Sequence, residues 1–194
     1  MKKVLITKFE PLDYAATEAI NTLCANLTFS GAGIKKIMIT SSQAAEGKTL
    51  TAMNMMRTFA ALGKTVVYVS GDLRRSPIVQ TYGIRFEGED TVGITHYLAG
   101  MASAAEVVYQ TNIPGAYLVP VGRDVSNSLS LLSTPRLPAL LDYLASAFDI
   151  VLVDSPPIGV IIDAAEIAKS CDGTVLVVNY NSVRRRELGE ARRQ

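Results

Sequence analysis

Four runs of consecutive apolar, mostly β-branched residues stand out along the chain. They are Ile37-Met38-Ile39-Thr40, Val66-Val67-Tyr68-Val69-Ser70, Ile150-Val151-Leu152-Val153-Asp154 and Thr174-Val175-Leu176-Val177-Val178. None alternates apolar with polar positions, as a strand with one wet face would. Continuous apolar strands separated by helices belong to a parallel sheet covered on both faces. Residues 116–120 are a weaker fifth strand. Between the runs the pattern predicts helices at about 13–29, 48–63, 92–99, 104–109, 135–147 and 161–170, with a charged one at 182–193. Gly63 and Asp172-Gly173 fit helix stops before a strand. Residues 121–133 carry polar turn chemistry and read as a surface loop. No internal repeat or low-complexity linker divides the chain. The predicted architecture is one doubly wound α/β domain over 1–194, a mainly parallel sheet with helices on both faces, with residues 1–30 an N-terminal helical segment.

Composition narrows the function classes. With 194 residues, 48% hydrophobic and 19% charged, the chain is long enough to bury a sizeable core. A formal net charge of +1 gives no reason to expect a nucleic-acid partner. Cys24, Cys171 and the single histidine, His96, are too few for a disulfide framework or a zinc site. The cysteines read as small buried hydrophobes in a reducing, cytoplasmic setting. Met1-Lys2-Lys3 followed by Val4-Leu5-Ile6 imitates the start of a signal peptide, but residues 7–11 end the apolar run too early. No run approaches the ~18–20 apolar residues of a membrane span, so membrane association is expected to come through a partner.

The chemistry concentrates after the first strong strand. Residues 37–40 run into Ser41-Ser42-Gln43-Ala44-Ala45-Glu46, and Gly47-Lys48-Thr49 opens a helix. Backbone N–H groups at such a helix start point at phosphates, and the helix dipole favours negative charge there. Lys48 would reach the β- and γ-phosphates, and the Thr49 hydroxyl would ligand Mg²⁺. The usual G-x-x-x-x-G-K-[ST] pattern has its first glycine where Ser42 stands. Two further strand ends carry acids, Asp72 in Gly71-Asp72-Leu73-Arg74-Arg75 and Asp154 before Ser155-Pro156-Pro157. Carboxyl ends of parallel strands share one edge, so both acids can face phosphates bound at Lys48. Asp154 fits the Mg²⁺ carboxylate, Asp72 could activate an acceptor hydroxyl, and Arg74 or Arg75 could meet phosphate charge.

These residues resemble the bacterial tyrosine kinases of capsule and exopolysaccharide synthesis, P-loop proteins related to partition and cell-division ATPases. The resemblance runs nearly end to end. It rests on Lys48-Thr49, Asn54, the block 71–75, residues 93–100 and 131–136, the doubled prolines after Asp154, and Asp163-Ala164. It implies a P-loop fold and ATP with Mg²⁺. The cofactor-binding residues are then Ser42, Ala45, Glu46, Gly47, Lys48, Thr49 and Leu50. Thr49 and Asp154 become metal residues, and Lys48, Asp72 and Asp154 catalytic ones. The opening of the chain looks like the soluble type, which a separate membrane protein of the polysaccharide co-polymerase type anchors and activates. The implied location is cytoplasmic, at the inner face of the membrane through that partner.

Four departures from the family pattern fall on functional positions. Ala44-Ala45 replace Pro-Gly in the loop, and Ser70 replaces the first acid of Asp-x-Asp. Glu18, Asn21 and Cys24 stand where a subunit-contact helix reads Glu-x-x-Arg-x-x-Arg. The chain ends at Gln194, before the family's final helix and strand and its tyrosine-rich tail. Losing two interface arginines predicts a mainly monomeric chain where the family forms rings, and arginine at 21 and 24 should restore a larger species. The alternative is that this helix packs on its own domain. For activity, an autophosphorylating tyrosine kinase stands first. A nucleotide-binding switch with little phosphotransfer comes second and a partition-type ATPase third.

Overall fold

The apolar runs are neighbours in one sheet, and their side chains sort by parity onto its two faces. The structure is a computed structural model that describes residues 2–29, 31, 33–74, 76–88, 91–180 and 189. Five neighbouring parallel strands run to one edge of the sheet, in the order β6 (Ala116–Val119), β3 (Val66–Ser70), β7 (Ile150–Asp154), β2 (Lys36–Ser41) and, at the edge, β8 (Gly173–Val177). Ile37, Ile39, Val66, Tyr68 and Leu152 point to one face, where α1 (Tyr14–Phe29) and α2 (Lys48–Ala61) cover them. Met38, Val67, Val69, Val151 and Val153 point to the other. There they meet α4 (Ile94–Leu98), α5 (Ser128–Leu132), α6 (Arg136–Ala147) and α7 (Asp163–Ala168). Burial on both faces is why these strands are apolar throughout.

Three short strands extend the β6 side. β5 (Tyr109–Thr111) pairs antiparallel with β6, β1 (Lys2–Ile6) parallel with β5, and β4 (Ile84–Phe86) antiparallel with β1. The fold is thus the expected mainly parallel α/β sheet, with corrections at its margin. Residues 2–6 form a strand within the stretch assigned to an N-terminal helical segment. The helix expected at 104–109 is a single tight turn, Ala105–Val107, and Tyr109 already belongs to β5. The stretch 121–133, read as a loop, contains α5, whose Ser128 is fully buried. A short α3 (Ile78–Thr81) also lies outside the expected elements. The helix expected at 182–193 lies outside the described residues.

Helix α1 packs on α2, and Cys24 sits inside that contact with no solvent exposure. Burial pushes its thiol up to about 12. Asn21 donates to Glu18 and accepts from Thr58 of α2 at 3.5 Å. This face of α1 therefore packs on its own domain. An arginine at position 24 would enter the core rather than reach a neighbouring subunit, so that substitution does not test assembly.

Candidate active site

β2 and β7 are parallel neighbours, so their carboxyl ends place residues 42–47 beside Asp154. The loop turns into α2 at Gly47, which has φ 88°, and Thr51 N–H closes the first helical turn on the Gly47 carbonyl at 2.8 Å. Ala45 has φ 62°, the only non-glycine among the described residues with positive φ. The loop thus takes its left-handed step at the very position where the resemblance places a glycine. The segment after β7 backs it. Ile158 N–H donates to the Ser41 carbonyl at 2.9 Å, and a side chain at Gly159 would strike the Ser42 carbonyl at 2.4 Å.

Lys48, Thr49, Leu50, Gly47, Ala45 and Asp72 line one cavity of about 630 Å³ at this edge of the sheet. Pro157 and Val160 form part of its apolar rim. Asp154 lies behind Thr49 and is 5% exposed. Its Oδ2 accepts from Thr49 Oγ1 at 2.7 Å and from the Tyr68 hydroxyl at 2.6 Å. Burial pushes the Asp154 carboxyl above the usual range. Those two hydrogen bonds and the Lys48 charge oppose the shift. Its Oδ1 is buried without a partner, as are Ser70 Oγ and Asn54 Oδ1. Asp154, Ser70 and Asn54 stand on β7, β3 and α2 and are not among the residues that line the cavity. Buried polar atoms are normally paired, so these three are exceptions.

The remaining expected site residues take different positions. Ser42 and Glu46 brace the loop from behind. Glu46 accepts from Ser42 Oγ at 2.9 Å, Gln43 N–H at 2.7 Å and, across to the segment after β8, Asn179 N–H at 3.1 Å. Burial alone would raise its pKa, but the hydrogen bonds from Gln43, Asn179 and Ser42 outweigh it and hold the carboxyl below the usual range. Arg74 reaches the cavity, yet its guanidinium is committed to a neighbour. Its Nε lies 3.1 Å from Asp163 Oδ2 and 2.8 Å from Ser128 Oγ. Ser128 also donates to Asp163, and both are fully buried. Arg75 lies outside the described residues. Sequence reading missed Tyr68 and Ser128 as parts of the site. Asp163 carried a signal only as part of the resemblance.

A strand running through a left-handed loop into Gly-Lys-Thr at a helix start, with an acid at the end of the adjacent parallel strand, defines a P-loop nucleotide-binding protein. Residues 34–183 match the family model described as an AAA domain. Tyrosine-protein kinase CpsD of Streptococcus pneumoniae serotype 4 is 34% identical over 179 residues, covering 92% of this chain and 78% of that one. Tyrosine-protein kinase YwqD of Bacillus subtilis is 31% identical over 99% of this chain and 80% of its own length. Among solved structures, the kinase domain of the Escherichia coli tyrosine kinase ETK superposes with a TM-score of 0.84 at 26% identity, covering 92% of this chain and 69% of that one. The septum site-determining protein MinD of Pyrococcus horikoshii shares the fold, with a TM-score of 0.63 at 24% identity over 74% of this chain and 57% of its own. The chain belongs to the bacterial tyrosine-kinase family. Among its described residues no helix is long and apolar enough to cross a membrane.

Proposed function

We propose that this chain is an ATP- and Mg²⁺-dependent protein tyrosine kinase of capsule or exopolysaccharide synthesis. The observation that carries the reading is the Thr49–Asp154 hydrogen bond of 2.7 Å beside Lys48 at the start of α2. It joins the helix start to the acid of the neighbouring strand as a triphosphate site requires. Family membership supplies tyrosine as the acceptor.

Gly47, Lys48 and the α2 N-terminus hold the phosphates, and Lys48 stabilises charge on the β- and γ-oxygens. Thr49 and Asp154 would hold Mg²⁺. The unpartnered buried Oδ1 of Asp154 and the adjacent hydroxyl fit a hard cation that takes oxygen ligands. No cluster of three acidic, histidine or cysteine side chains that could hold a metal occurs among the described residues. Phosphate and water oxygens would therefore complete the coordination. When bound, the ion neutralises charge that develops on the transferring phosphoryl group. Asp72 lines the same cavity and serves as the base. A tyrosine oxygen forms its bond to the γ-phosphorus, the bond to the β,γ-bridging oxygen breaks, the tyrosine proton passes to Asp72, and ADP leaves.

The proposed partners are ATP and ADP, protein tyrosines, and a membrane-embedded activator of the polysaccharide co-polymerase type. The activator would bring a cytoplasmic, mainly monomeric chain to the inner membrane face. A nucleotide-dependent switch is the second reading, favoured by Ser70 at the position of the family's acid. Incubation with γ-labelled ATP separates the readings. Label on protein tyrosine is expected for the kinase. Free phosphate without labelled protein would make the chain a partition-type ATPase, and bound nucleotide with neither product would make it the switch.

A further inference from the structure

The buried tyrosine at the centre of β3 has no role in the reading above. Tyr68 is completely enclosed, and its ring packs among the aliphatic side chains under α2. A buried phenol needs an acceptor for its proton. Here the acceptor is Asp154 Oδ2, on the adjacent strand, at 2.6 Å.

Thr49 donates to that same oxygen, while Oδ1 stays buried and unpartnered. The terminal torsion of an aspartate is broad and roughly two-fold, so an unrestrained carboxylate presents either oxygen. Two donors on Oδ2 remove that freedom. Ser70, in register with Asp154, brings a hydroxyl to the place of the family's acid, and its Oγ has no partner. Tyr68, two residues earlier on the same face of β3, is therefore the strand's contact to the carboxylate.

We propose that Tyr68 is a positioning residue that pins Asp154 through Oδ2, so that Oδ1 is the oxygen presented to a divalent cation or its bound water. The proposal rests on reading Asp154 as the metal carboxylate. Its test is Tyr68→Phe, which keeps the ring and removes the hydroxyl. Mg²⁺ is titrated calorimetrically into the ADP-loaded chain, and ADP is titrated separately in EDTA. Mg²⁺ affinity should fall about tenfold, as when a partner that orients a metal ligand is lost. Metal-free ADP affinity should stay within about twofold.

Asp154→Asn is measured beside it. Unchanged Mg²⁺ binding there would remove the metal reading itself. Weakened binding in Asp154→Asn with unchanged binding in Tyr68→Phe would overturn the positioning role alone. In the double variant Tyr68→Phe should add nothing to Asp154→Asn, whereas a merely structural tyrosine would add its own loss. If Tyr68→Phe does not fold, the unaltered chain labelled at the tyrosine ζ-carbon decides by NMR. The Tyr68 hydroxyl proton should persist when Mg²⁺ and ADP are added, and its disappearance would overturn the proposal.

Discussion

Replacing Ala45 with glycine should stabilise the chain while leaving nucleotide affinity nearly unchanged. Ala45 holds φ 62° in the phosphate loop, a conformation that crowds Cβ against the following carbonyl. For an L-residue this costs roughly 1–2 kcal/mol. Glycine escapes that cost but loses more chain entropy on folding, about 0.5–1 kcal/mol relative to alanine. The difference is a net gain of about 0–1.5 kcal/mol. For a domain of this size it corresponds to a rise in Tm of up to about 6 °C. Ala45 is exposed, so the lost methyl leaves no core cavity to offset the gain. Because the backbone already occupies the left-handed region, the loop N–H groups point the same way in both variants. ADP affinity should therefore change by less than about threefold. Differential scanning calorimetry and ADP titration measure the two quantities. A lower Tm, or a tenfold change in affinity, would show that the alanine does more than occupy a strained backbone position.

Lys48→Met should lose most ADP and ATP affinity with its melting temperature retained, because Lys48 lines the cavity and makes no part of the core; calorimetric titration beside a thermal melt checks both. Glu46 is held below its ordinary value of 4.5, so its hydrogen bonds contribute fully above that pH and are lost as pH falls through the folded-state value. Glu46→Gln should accordingly flatten the decline of Tm below pH 4.5, and an unaltered slope would remove the loop brace. Cys24→Arg should lower stability by about 3–5 kcal/mol, the scale of an uncompensated buried charge, whereas Asn21→Arg at the half-buried position should fold normally. Thermal melts decide this pair, and a Cys24→Arg chain as stable as the unaltered one would show that position 24 does not depend on an apolar, enclosed side chain.

The central strands were legible because burial on both faces leaves a run of apolar residues that nothing else in the chain imitates. All four strong runs are strands, with ends displaced by a residue at most. The short strands on the β6 side of the sheet were not legible. Ile84-Arg85-Phe86 and Tyr109-Gln110-Thr111 span three residues each, too short for an alternation to register. Lys2–Ile6 was obscured by its likeness to a signal sequence. Within the site, Lys48, Thr49, Asp72 and Asp154 were visible from strand ends and one glycine. The Tyr68–Asp154 contact crosses 86 positions and Ser128–Asp163 crosses 35, and neither partner's local sequence marks it. Tyr68 in particular sits in an apolar run where an aromatic reads as packing alone.

The two departures nearest the phosphates differ in physical consequence. A glycine in the loop serves through its backbone conformation, and Ala45 adopts a left-handed conformation at the cost of local strain. Nothing about the direction of the loop N–H groups is lost. An acid at the end of β3 serves through charge, and Ser70 cannot replace that by any conformation. In register with Asp154, a second carboxylate would repel the first and make their joint burial costly without a cation. Serine removes that repulsion and, on the proposed reading of Asp154 as the metal carboxylate, the added attraction for a cation as well. On the same reading the site gains stability when empty and binds a divalent ion less strongly when loaded. Phosphoryl transfer, which would need that ion, would then be more exposed to the change at Ser70 than nucleotide binding through Lys48 and the start of α2.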